Sequence, residues 1–136
     1  MALSAIATLI HAQEGHVSPF DKVRWQNAGL PGAEMGVLWG RKADGTAVWA
    51  FRLQPGVAIP PHTHSRDYWG VAVQGRWEHI DQNGQAVVTR QDAYVHIRAR
   101  DLHGDRCVGP VVCINLIRFT GPRDIQFPKA PSTKKP

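Results

Sequence analysis

The sequence predicts an all-β domain, a sandwich or barrel, and three observations carry that expectation. Short stretches rich in β-branched and aromatic residues recur along the chain. Glycine, proline, asparagine and aspartate separate them, and the regular spacing persists through most of the sequence. Helix is expected to be scarce, confined to the N-terminal stretch from Ala2 to Gln13.

The expected strands are, in order, MGVLWG (35–40), TAVWAFRL (46–53), YWGVAVQ (68–74), RWEHID (76–81), QAVVT (85–89), AYVHI (93–97) and VVCINLIRF (111–119). Between them KADG, QPG, DQNG and VGP each have the backbone chemistry of a turn. Asn83-Gly84 can supply the positive φ angles of a tight hairpin between 76–81 and 85–89. Gly109-Pro110 is expected to make a second hairpin, between 103–108 and 111–119.

A chain of 136 residues with 43% apolar composition can build one core, so a single domain is expected over 1–128. The remaining 129–136, with Lys129, Lys134 and Lys135, has the composition of a flexible basic tail. The formal charge of +5 is scattered and accompanies no nucleic-acid-reading motif, so no nucleic-acid partner is expected. No apolar run approaches the ~20 residues of a membrane-spanning helix, and no membrane partner is expected. The opening MALSAIATLIHAQ lacks the positive start of a signal peptide, which leaves a first strand, a helix or a clipped signal remnant. Cys107 and Cys113 are the two cysteines and form no CxxC pair, so neither a disulfide framework nor a zinc knuckle is expected. That usage favours the cytoplasm, with periplasm or secretion open if the N-terminus is a signal remnant.

Chemistry concentrates in GVAIPPHTHSRDYWGVAVQG, Gly56 to Gly75. In a strand, residues two apart share a face, so His62 and His64 present neighbouring imidazoles, and Pro60 and Pro61 stiffen the approach and suit an edge. The pair alone is equally the pattern of two unrelated strand histidines. Its frame is more telling: Gly56, the His-x-His pair and Gly75 resemble the first motif of the cupin superfamily, the small double-sheet jelly rolls. QDAYVHIRARDLHGDRC stands where the second cupin motif belongs, with His103 at the later histidine. The resemblance runs from Met35 to Phe119, with both motifs within 56–107. It implies an RmlC-like cupin barrel, a double-stranded β-helix, that binds one divalent metal through His62, His64 and His103, the last facing the first pair across the barrel.

The departures from the family pattern shape the expected chemistry. Where many cupins place a glutamate ligand, this chain has Tyr68 and Trp69, while Asp67 falls one position early and is expected to point away. Arg98 and Arg100 replace a proline and a glycine, so the loop before His103 is expected to differ in shape. Cys107 replaces an asparagine and lies more than ~10 Å beyond His103 along an extended chain. Three neutral imidazoles leave a divalent ion its full charge and open positions, which favours an anionic, chelating substrate. Imidazole suits iron(II), zinc, nickel and manganese alike.

The glutamate-free histidine set, the short chain, LHG and the distal FTGP are similar to cupin dioxygenases that cleave β-diketones. This resemblance implies an iron(II) dioxygenase acting on a small β-dicarbonyl or similar enolisable compound. The alternatives are a zinc-dependent hydrolase or lyase on the same histidines, and a non-catalytic cupin that binds metal or a small ligand. Tyr68 is a candidate catalytic hydrogen-bond donor as well as a candidate core aromatic. Arg98 is a candidate carboxylate holder, with Arg100 beside it, or a solvated loop residue. Trp69, with Trp39, Trp49 and Trp77, is a candidate pocket wall or sandwich filler. His79 and His96 are candidate orienters of a ligand imidazole, or ordinary strand histidines. A homodimer through an edge strand or an apolar sheet face is expected.

Overall fold

The computed structural model describes residues 17–129, in which a 3-10 turn at Phe20–Lys22 precedes ten strands. They are β1 (Gln26–Asn27), β2 (Ala33–Trp39), β3 (Val48–Leu53), β4 (Ala58–His62), β5 (Tyr68–Gln74), β6 (Trp77–Ile80), β7 (Ala86–Thr89), β8 (Tyr94–Ile97), β9 (His103–Cys107) and β10 (Cys113–Phe119). They form two antiparallel sheets, of six strands in the order β1-β2-β3-β10-β5-β8 and of four in the order β4-β9-β6-β7. Every stretch expected to be a strand is one. The expected N-terminal helix and most of the basic tail lie outside the described residues.

β1 and β4 are strands that composition does not announce. β1 is only two residues long, and β4 reads AIPPH, with two residues that cannot donate to a ladder. β4 accordingly lies at the edge of its sheet, where a missing N–H costs little. The turn at Asn83-Gly84 is present, with Gly84 at φ 78° and Trp77 to Ile80 paired against Thr89 to Ala86.

The second expected hairpin is not formed. β9 and β10 belong to different sheets, so the Gly109-Pro110 segment is a crossover between layers. The cysteines, from whose spacing no disulfide framework is expected, are nevertheless paired. Cys107 at the end of β9 and Cys113 at the start of β10 form a buried disulfide, Cα atoms 5.7 Å apart, which ties the two sheets together where the chain crosses. Spacing by CxxC rules misses it because the crossover, not a local motif, brings the two ends together.

Alternation along β5 shows how the core is filled. Tyr68, Gly70 and Ala72 face inward, while Trp69, Val71 and Val73 face solvent. One apolar cluster gathers Phe51, Leu53, Ile59, Trp77 and the disulfide; the other gathers Trp49, Tyr68, Ile97 and Phe119. Complete burial of a side chain such as Leu53 contributes roughly 1.5–3 kcal/mol. Gly75, which closes the first motif, has φ 81° and passes so near Cys113 that a Cβ would sit 2.8 Å from its Sγ. Both the turn and the close approach require glycine there.

Candidate metal centre

The three histidines converge at one end of the sandwich. His62 closes β4, and the extended path continues through Thr63, whose N–H and C=O pair with Gln126 at 2.9 Å each way. His64 therefore stays on the face of His62. His103 opens β9 directly opposite His62 in the neighbouring strand. This corrects the expectation that His103 faces the pair from across the barrel: the strands are adjacent, and the ring centroids are 4.3 Å apart. All three residues are buried, and one nitrogen of each lies within 4.8 Å of the others.

Backbone carbonyls settle which nitrogen each ring offers. Nδ1–H of His62 donates to the Pro60 carbonyl at 2.8 Å, and Nδ1–H of His103 donates to the Asp101 carbonyl at 2.9 Å. Nδ1–H of His64 donates to the Asp124 carbonyl. A carbonyl only accepts, so Nδ1 carries the proton in each ring and Nε2 keeps its lone pair. Burial lowers the pKa of His62, and lowers that of His64 to about 4, so these imidazoles are neutral at physiological pH. The His62 and His64 lone pairs meet no donor among the described residues and that of His103 meets only the Tyr68 hydroxyl, a poor arrangement for an empty protein core and a good one for a cation. The set fits a divalent metal, which His62, His64 and His103 would hold through imidazole nitrogen.

Tyr68 is buried beside the centre, its hydroxyl donating to His103 Nε2 at 3.3 Å. Burial, followed by the charge of Asp105, holds its pKa well above 10, so it is a permanent donor. Asp67 points away, as expected. It accepts from the Ala99 N–H at 2.8 Å and from His96 Nε2 at 3.2 Å, tying down the loop ahead of His103. In that loop Arg100 has φ 68°, and its N–H donates to the His64 carbonyl at 2.8 Å. Arg100 thus adopts the left-handed backbone that glycine favours.

A cavity of about 160 Å³ opens on His62, His64 and Tyr68 between the sheets. Arg98 and Trp69 do not line it. Arg98 is exposed and paired with Asp101 at 3.1 Å, and Trp69 is on the outer face, stacked on His96 with 4.7 Å between centroids. Strand parity accounts for Trp69: one position from Tyr68, it must face the other way. The guanidinium at the cavity is that of Arg123, which has no ion-pair partner among the described residues and whose pKa burial lowers. Trp77 and His79 do line the cavity, and His96 does not.

The centre is not free of carboxylate. Asp105 follows His103 by two residues, on the same strand face, and its Oδ2 is 3.9 Å from His103 Nε2. His79 Nδ1–H donates to Asp105 Oδ1 at 3.0 Å, and that hydrogen bond raises the His79 pKa. A carboxylate beside the site would offset part of a bound ion's charge, where a fully charged centre is expected from the sequence. The signal was present in the sequence: His103-x-Asp105 repeats the two-residue spacing of His62-x-His64.

Solved structures with the same fold include the polyketide cyclase RemF from Streptomyces resistomycificus, with TM-score 0.70, 14% identity and coverage of 86% of this chain and 87% of that one. A protein of unknown function with a double-stranded β-helix domain from Klebsiella pneumoniae gives TM-score 0.67 at 16% identity, over 96% of this chain and all of that one. KdgF from Halomonas sp. gives 0.64 at 20% identity, over 78% and 94%. No curated protein matches the sequence. Residues 13–116 match the family described as the ChrR Cupin-like domain, most of the chain. With the two-sheet jelly roll and the three-histidine cluster in place, this chain is a small RmlC-like cupin that belongs to the ChrR cupin-like family.

Proposed function

We propose that the protein is an iron(II)-dependent dioxygenase that cleaves a small, anionic, enolisable β-dicarbonyl compound. The observation that carries this reading is the set of three Nε2 lone pairs, fixed by backbone carbonyls, beside a largely apolar cavity that His62 and His64 line. Iron(II) held there would supply positions open to a chelating anion and to dioxygen. The chain's own residues supply the rest. Arg123 favours an anion at the mouth of the site. Asp105, held by His79, is placed to take the acidic proton between two carbonyl groups. Tyr68 donates a hydrogen bond to negative charge developing near His103, and the apolar walls exclude water. The name of one structural neighbour, a polyketide cyclase, is in keeping with an enolisable carbonyl substrate.

The Asp105–His79 pair also supports a second reading, a zinc-dependent hydrolase or lyase in which the pair moves a proton. Oxygen uptake by iron-loaded protein with pentane-2,4-dione and related β-dicarbonyls separates the two. Uptake in proportion to substrate consumed is expected, and its absence with every compound contradicts the dioxygenase. Strand β7, an edge of its sheet among the described residues, with Val87 and Val88 exposed, supports pairing of two copies. The buried disulfide favours an oxidising compartment over the cytoplasm.

A further inference from the structure

Two buried polar atoms have no hydrogen-bond partner among the described residues, Nε1 of Trp77 and Oδ1 of Asn115. Both residues line the cavity that opens on His62 and His64. Trp77 is on β6 and Asn115 on β10, in opposite sheets, and Phe51 links them: its ring lies 6.2 Å from that of Trp77, and it is the strand partner of Asn115. Buried polar atoms left unpaired are costly, so a fold that keeps both at one cavity has something to meet them.

The floor of the cavity relates these atoms to the metal centre. Phe119, Ile117 and Asn115 share one face of β10 and pair with Tyr68, Gly70 and Ala72 of β5. The floor therefore runs from Tyr68 and Phe119, against His64, inward to Asn115, roughly 13 Å along the strand. Gly70 and Ala72 leave the space above it open. A volume of about 160 Å³ suits one six-membered ring, since a cavity of ~150 Å³ accepts benzene. At the metal end stands Arg123, close enough to His62 and His64 for its charge to act on both.

We propose that the cavity binds a monocyclic hydroxy acid or its enolate equivalent. The anionic group enters at the histidines and Arg123, the ring fills the apolar middle, and a free hydroxyl accepts from Trp77 Nε1–H and donates to Asn115 Oδ1. A hydroxyl is the simplest group that satisfies both atoms at once. This rests on the metal-centred reading for the direction in which the ligand enters; the hydroxyl subsite itself does not need a metal. It narrows the substrate to ring compounds that carry a donor-acceptor group opposite the chelating end.

Calorimetric titration with 3- and 4-hydroxybenzoate, benzoate and 4-methoxybenzoate tests the subsite, using both zinc-loaded and metal-free protein. At least one hydroxybenzoate is expected to bind about tenfold or more tighter than benzoate and the methoxy compound, because only it pairs both buried atoms. Trp77→Phe and Asn115→Leu are each expected to reduce that preference to about threefold or less. The Trp77 indole N–H resonance, assigned by its loss in Trp77→Phe, is expected to move with the hydroxybenzoate and not with benzoate. Equal affinity in the unaltered protein, a preference that survives both substitutions, or no binding by either hydroxybenzoate overturns the proposal. A preference retained by protein that takes up no metal upholds the subsite and removes the metal-centred reading instead.

Discussion

His62 and His103 stand opposite one another in neighbouring antiparallel strands, with their ring centroids 4.3 Å apart and each Nδ1 turned to the backbone carbonyl two residues earlier. The register between β4 and β9 thus builds two-thirds of the candidate metal centre. A slip of one residue in that register would turn one imidazole out of the site.

Tyr68→Phe removes a donor and almost no volume. Metal content should be unchanged, and the loss of one weak hydrogen bond should cost about 1 kcal/mol of stability or less. Turnover of the proposed β-dicarbonyl should fall about tenfold or more, in kcat with little change in KM, because the hydroxyl serves charge that develops during reaction. Steady-state kinetics on metal-matched samples checks this.

Acid should weaken the metal-free protein before it weakens a typical fold. His64 has its pKa lowered to about 4 by burial, and His62 is lowered by the same cause, so the unfolded chain takes up their protons first. From these two groups stability is constant above about pH 6.5 and falls as pH drops toward 4, by on the order of 3 kcal/mol from His64 alone. His79, raised by its hydrogen bond to Asp105, works in the opposite sense and over a higher window: its contribution is gained as pH falls from its raised pKa to below about 6.5 and is constant thereafter. Urea midpoints of metal-free protein between pH 4 and 7.5 report the slope.

Reduction should destabilise the chain without emptying the site. Cys107 and Cys113 close a short loop of six residues' separation, for which chain entropy gives about 2 kcal/mol. Thermal denaturation with and without dithiothreitol should show a melting temperature several degrees lower, with metal retained at room temperature.

Arg100→Gly should stabilise. Arg100 holds a left-handed backbone at φ 68°, where a side chain costs on the order of 1 kcal/mol and glycine costs little. The hydrogen bond to the His64 carbonyl comes from the Arg100 backbone and survives the change. A small rise in melting temperature at unchanged metal content is the expected outcome.

Much of this was legible from particular residues. Alternation in YWGVAVQ placed Tyr68 inward, and the resemblance to cupin motifs paired His103 with His62 and His64. What stayed hidden depends on contacts distant in sequence. Arg123 and Asp124 reach the site because Gln126 pairs with Thr63, a relationship no local pattern encodes. Arg98 was attractive because it lies near His103 along the chain, yet the loop turns it toward Asp101 and solvent. The Cys107–Cys113 bond and the crossover were missed together, since a glycine-proline pair looks the same whether the chain returns within a sheet or passes between two. Asp105 carries a readable spacing two residues after His103, but it does not stand at the position of the family's glutamate.

The central claim is that His62, His64 and His103 bind one divalent ion through their Nε2 atoms. Metal analysis of protein purified without added metal, beside His62→Ala and His103→Ala purified identically, tests it most directly. About one iron or other divalent ion per chain is expected in the unaltered protein, with at least tenfold less in each variant that remains folded by circular dichroism. Metal content that is unchanged in both folded variants, or absent from the unaltered protein even after incubation with excess iron(II) or zinc, would contradict the account.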